Sequence, residues 1–108
     1  KASQQASASL QFANAQVKLE FARPVVYAAA AAIAGADDRR RAVAASHAKL
    51  ASVAAADACA RIAMQAHGAM GYSWEVDLHF YMKRAWALAV RYGDAEFHRR
   101  RIRSTLIG

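Results

Sequence analysis

The sequence predicts an all-α protein, an up-and-down four-helix bundle. Three observations carry that expectation. Apolar residues recur three and four apart along most of the chain, the spacing of one helix face. No stretch alternates apolar and polar residues as a half-buried strand would. Gly35, Asp37, Gly93 and Asp94 stand where helices should stop and start.

Residues Lys1 to Ser9 are rich in Ser, Ala and Gln and read as a frayed arm or a weak helix start. The first helix should run from about Leu10 to Ala34. Leu10, Ala13, Val17, Phe21, Val25, Ala28 and Ala32 make one stripe along it. Pro24 interrupts that run, so a kink near Phe21 to Pro24 or two abutting helices are expected.

Asp37 is a candidate N-cap for a second helix reaching about His67, and Asp38 suits its positive end. Val43, Leu50, Val53, Ala54, Ala58, Ile62 and Met64 form its expected buried side. Arg39, Arg40 and Arg41 crowd its first turn, where the helix dipole disfavours cations, and are read as solvent-facing. A turn from Gly68 to Trp74 follows, with Ser73 as N-cap of the third helix. That helix should carry Leu78, Tyr81, Met82, Ala85, Leu88, Ala89 and Tyr92 on one face and end at Gly93. Asp94 then caps a fourth helix to about Leu106, with Phe97, Ile102 and Leu106 inward.

The 108 residues make one domain, 1–108. Hydrophobic residues reach 56%, but much of that is alanine, which offers little area to bury. A chain built this way needs neighbours, which suggests a piece of a larger core or of an oligomer. Fifteen Lys and Arg against eight Asp and Glu give a formal net charge of +7. That balance attracts anions, including nucleic acid, membrane surfaces and phosphate-bearing small molecules. Trp74, Phe80, Tyr81, Lys83, Arg84 and Trp86 interleave aromatic and basic residues, but Tyr81 and Trp86 do not share a helix face, so nucleic-acid binding is not expected.

The lone cysteine, Cys59, forms no internal disulfide and fits a reducing, cytoplasmic setting. No apolar run reaches the roughly 18 residues of a membrane span. The four histidines, His47, His67, His79 and His98, lack metal-ligand spacing, so no metal is expected. His67 stands at the entrance to the glycine turn, where helix capping and ligand contact are both open.

Gln65, His67, Gly68, Ala69, Gly71 and Tyr72, followed by Glu75, Asp77, Leu78, Tyr81, Arg84 and then Tyr92, Gly93 and Asp94, resemble the C-terminal helical domain of acyl-CoA dehydrogenases. Val17 to Arg23 and Tyr27 to Ala29 look like a helix of the same domain. The resemblance runs from about Phe12 to Leu106. The glycine turn and its spacing to Gly93 are its specific part, and the variants here look like a bacterial, heteromeric group acting on steroids.

The resemblance implies a share in an FAD-dependent enzyme that dehydrogenates an acyl-CoA thioester. It implies the last part of a subunit whose bundles pack as the centre of a homo- or hetero-oligomer, a tetramer. It assigns cofactor binding to Gln65, Gly68, Ala69, Met70 and Gly71, whose backbone would approach the adenosine-diphosphate half of FAD. Ala69 stands where a second glycine is usual. Tyr92 stands where many members carry a glutamate base. Tyrosine as a residue type ionises near pH ~10 and is a poor base at neutral pH. No catalytic residue is therefore assigned to this chain, and Asp94 is read as the cap of the last helix. A non-enzymatic helical assembly or adaptor explains the alanine stripes and the charge equally well, but not the spaced glycines.

Overall fold

The computed structural model describes residues 2–68 and 75–107. They form four helices: α1 (Ala2–Gly35), α2 (Asp38–Gly68), α3 (Glu75–Val90) and α4 (Ala95–Ile107). No strand occurs among the described residues. The all-α helical bundle expected from the periodicity is what forms.

Helix α1 begins at Ala2 rather than near Leu10. The first nine residues hold no Pro or Gly, and three of them are alanine, so nothing in them opposes helix. Pro24 lies inside α1 without dividing it into two helices. Gly35 ends α1, and the Ala36 amide still donates to the Ala32 carbonyl at 3.0 Å. Asp37 caps α2 as expected: its Oδ1 accepts from the Arg40 amide at 2.8 Å. Asp94 does the same for α4, accepting from the Phe97 amide at 2.9 Å.

Helix α2 is the centre of the arrangement, packing against α1, α3 and α4. Its cations also close the other three helices. Arg41 donates to the Ile33 carbonyl at 3.4 Å, near the end of α1. Lys49 Nζ donates to the Leu88 and Arg91 carbonyls at 2.7 and 2.5 Å, at the end of α3. Arg39 Nε donates to the Thr105 carbonyl at 2.9 Å, at the end of α4. The carbonyls at a helix C-terminus have no partner of their own and carry partial negative charge. Each cation satisfies one or two of them, for about 0.3–1 kcal/mol apiece at such exposed sites. Arg39 and Arg40 are exposed, in keeping with the solvent-facing expectation, and Arg41 is half-buried; Arg39 and Arg41 also serve the neighbouring helix ends. Antiparallel neighbours bring their negative ends to the place where α2 carries its arginines, and Arg41 also pairs with Asp38.

These contacts fix the topology. Moving down α2 from Lys49 to Ser46 to Arg39, the partners are the end of α3, then His98 and Arg101, then Thr105. Helices α3 and α4 therefore run in tandem along α2, both antiparallel to it. The result is a three-legged layer in which α3 and α4 share one leg.

That layer is open. Its radius of gyration is 16.7 Å, where a compact chain of this length would have about 13 Å. Its longest extent is 51 Å, the length expected of a 34-residue helix at about 1.5 Å per residue. The accessible surface is 8177 Å², about 2,300 Å² above the value typical for a folded monomer of this mass.

The seam between α1 and α2 is made of small residues. Ala15, Ala22 and Ala29, seven apart, are the buried residues of α1, and Ala55 and Ile62 are buried on α2. Methyl groups let helix axes approach closely, at a gain of only about 0.8 kcal/mol per buried methyl-sized group. The larger stripe of α1 turns outward: Leu10 and Phe21 are each 70% exposed, and Val17 is exposed as well. Similar corrections hold elsewhere. Ala54 on α2 is exposed, while Val43, Leu50, Val53, Ala58 and Met64 are half-buried and Ile62 alone of that set is buried. On α3, Met82 is buried but Tyr81 and Leu88 are exposed, and Tyr92, expected on the same face, lies beyond the helix and is exposed. On α4, Phe97 and Leu106 are exposed, and His98 is buried instead. No second layer of helices among the described residues covers these large side chains; on α1 the buried contacts are left to alanine.

Candidate functional site

Of the residues assigned to the cofactor, Gln65 lies on the last turns of α2 and is exposed. Gly68 is the final residue of α2. Ala69, Met70 and Gly71 lie outside the described residues, as does Ser73. Gln65 lines a polar groove of about 360 Å³ between α1 and α2, together with Gln11, Asn14, Lys18, Asp57 and Arg61. Arg61 Nε is held by Asp57 Oδ2 at 2.9 Å, one turn before it. Lys18 and Gln65 line the same groove. A cation, an arginine and three amides are the donor set that a phosphate- and hydroxyl-bearing ligand requires. The groove fits the polar half of a dinucleotide on chemistry alone.

The second region is the bend between α3 and α4. Helix α3 stops at Val90, three residues before the expected Gly93. The Arg91 amide donates to the Leu88 carbonyl at 3.3 Å, tightening the last turn. Tyr92 then adopts φ +60° and Gly93 φ +102°. Two consecutive left-handed residues break the helix, and α4 restarts along the same edge of α2. Left-handed backbone suits glycine, but it strains tyrosine, whose Cβ crowds the following carbonyl. The Tyr92 side chain is 83% exposed, and the Arg91 guanidinium carbon lies 5.3 Å from its ring centroid.

Beneath the bend sits a polar cluster that the periodicity did not single out. Ser46 of α2 is fully buried and His98 of α4 is 5% exposed. Ser46 Oγ and His98 Nδ1 are 2.9 Å apart, and Arg101 Nε donates to Ser46 Oγ at 2.7 Å. With Oγ accepting from Arg101, its own proton can go to Nδ1, which leaves the imidazole proton on Nε2. His98 Nε2 is buried without a partner. It faces the bend: a Cβ built on Gly93 would lie 3.1 Å from it and 2.5 Å from Phe97 Cδ1. The imidazole also meets the Phe97 ring edge-on, with centroids 5.1 Å apart.

A signal for these two residues was present in the spacing. Ser46 continues the register of Val43, Leu50 and Val53, and His98 that of Ile102. Both are polar, so an apolar pattern passes over them.

No group of His, Cys, Asp and Glu able to hold a metal ion occurs among the described residues. No helix among them is long and apolar enough to cross a membrane. The open helical layer and the glycine-marked bend define an all-helical domain with large apolar side chains left exposed. The family model of the acyl-CoA dehydrogenase C-terminal domain matches residues 1–107, and the chain belongs to that family. No curated protein and no solved structure matches it.

Proposed function

We propose that this chain is the helical domain of an FAD-dependent acyl-CoA dehydrogenase, serving as oligomer core and contributing to the cofactor site without a base of its own. The observation that carries this is the open three-legged layer. About 2,300 Å² of surface beyond that of a compact monomer is what one side of a large, permanent interface exposes. Leu10, Val17 and Phe21 line up on the outer face of α1, where neighbouring subunits or domains would cover them. A homo- or hetero-tetramer of related subunits is the assembly we favour.

Gln65, Gly68, Ala69, Met70 and Gly71 are the residues we assign to the cofactor, and Lys18 and Arg61 line the groove with Gln65. FAD, when bound, supplies the two-electron acceptor for dehydrogenation of the thioester. This chain's part is to bind and orient the diphosphate end. Tyr92 occupies the position that would otherwise offer a base, so the proton is taken by a group on another part of the assembly.

The test is native mass spectrometry of the purified protein together with its absorbance spectrum. An oligomer carrying one flavin per dehydrogenase site is the expected result. A colourless monomer, unable to take up added FAD, would refute the proposal and favour a plain assembly module.

A further inference from the structure

We propose that the outer face of the α3–α4 leg is a peripheral binding surface for an anionic lipid bilayer. It holds whether or not a flavin is bound, because it concerns neither the groove beside Gln65 nor the bulky stripe of α1.

The first observation is where the charge lies. Between Leu78 and Ile107 the sequence carries one lysine and six arginines against Asp94 and Glu96. Asp94 is already engaged as the cap of α4. Helix α1 is close to balance by contrast, with Lys18 and Arg23 against Glu20. The ion pairs among the described residues, Arg41 with Asp38 and Arg61 with Asp57, both belong to α2. The chain's positive excess is therefore gathered on one leg.

The second observation is the direction of those cations. Helix α3 packs on α2 through the side that holds buried Met82 and half-buried Ala85 and Ala89. At 3.6 residues per turn, Phe80, Lys83, Arg84 and Ala87 fall on the opposite side, and all four are exposed. Helix α4 reaches Ser46 of α2 through His98 and Arg101. Arg100, Arg103 and Ile107 stand opposite those two and are exposed. Both helices lie in tandem on α2, so their outer sides join into one strip. The 16 and 13 residues of α3 and α4 make it on the order of 40 Å long. That length exceeds a small phosphate ligand, so the partner is itself an extended surface.

The third observation is what stands at the ends. Phe80 near the start of the strip is 69% exposed, and Ile107 at its finish is 83% exposed, with exposed Leu106 beside it. Cations between apolar ends suit a bilayer interface: guanidinium groups meet lipid phosphates while the apolar side chains sink just below them. A nucleic acid has no use for an aliphatic end, and Tyr81 and Trp86, on different sides of α3, give its bases no common stacking platform. The contact is peripheral, since no helix among the described residues is long and apolar enough to cross a membrane.

The experiment floats the purified complex with vesicles of phosphatidylcholine, alone or with about one-third phosphatidylglycerol. Binding to the anionic vesicles alone is expected, and it should weaken steeply between ~0.1 and ~0.5 M salt. A cation near such a surface raises partitioning about fivefold, so the pair Arg100→Gln with Arg103→Gln should lose about 25-fold. The pair Arg100→Lys with Arg103→Lys keeps the charge and should bind as the parent does, with circular dichroism confirming equal helix content in every variant. Ile107→Ser should weaken vesicle binding about tenfold with all cations in place, which a purely ionic attraction would not show.

Equal binding to neutral vesicles would overturn the proposal, as would indifference to the glutamine pair or to Ile107→Ser. Tighter binding to a short DNA duplex than to the anionic vesicles would also overturn it and assign the strip to nucleic acid.

Discussion

Replacing Gly93 by alanine should be among the costliest single-methyl changes in this chain. Two separate terms act at that position. The backbone has φ +102°, which a side chain occupies only at a cost of about 1–2 kcal/mol. The added Cβ would also lie 2.5 Å from Phe97 Cδ1 and 3.1 Å from His98 Nε2. Phe97 is 44% exposed and can swing aside, but His98 is 5% exposed and tied to Ser46, so the strain cannot all be shed. Overpacking of this kind costs about 1–3 kcal/mol, for a total of about 2–5 kcal/mol. For a chain of this size each kilocalorie lowers the melting temperature by about 4–8 °C. Urea denaturation followed by circular dichroism measures the loss. The double variant Gly93→Ala with Phe97→Ala separates the terms: it should recover part of the clash and none of the backbone penalty. A loss below about 0.5 kcal/mol in the single variant would show that neither term operates and that the bend is not held as described.

Other outcomes follow from the same packing. Ser46→Ala leaves His98 Nδ1 and Arg101 Nε without their shared partner inside the fold, and should cost about 1–3 kcal/mol in chemical denaturation. Ala22→Leu inserts bulk into the α1–α2 seam and should cost about 1–3 kcal/mol, read in the same assay. Phe21→Asp lies on the exposed face of α1, so it should leave helix content intact while dissociating the assembly in sedimentation velocity. Lys49→Met removes both bonds to the end of α3 and should speed amide hydrogen exchange there, with little effect on α1.

The helices themselves were legible because their signals are local. Asp37 and Asp94 cap through side-chain oxygens three residues from the amides they serve, a relation contained in four consecutive residues. Which face each helix buries was not legible. Leu10, Val17 and Phe21 have the spacing of a core stripe, and spacing cannot say whether the core lies inside this chain or in a neighbour. The helix-end contacts of the α2 arginines were not legible for a similar reason. Their use depends on the ends of α1 and α4 arriving beside them, which is a matter of topology. At the site, the bend was anticipated at Gly93, but not the left-handed Tyr92 before it, because tyrosine carries no preference for that backbone. Ser46 and His98 escaped because a buried polar pair leaves no apolar trace.

The alanine seam and the bulky stripe occupy different sides of α1, and this separates two tasks usually entangled in one core. Ala15, Ala22 and Ala29 hold the helix to its own chain, while Leu10 and Phe21 are free to answer to whatever lies opposite. In the assembly proposed above, substitutions on the bulky side would therefore retune which protein is accepted without loosening the hairpin underneath. An engineer seeking to pair this domain with a new subunit would begin there and leave the three methyl groups alone.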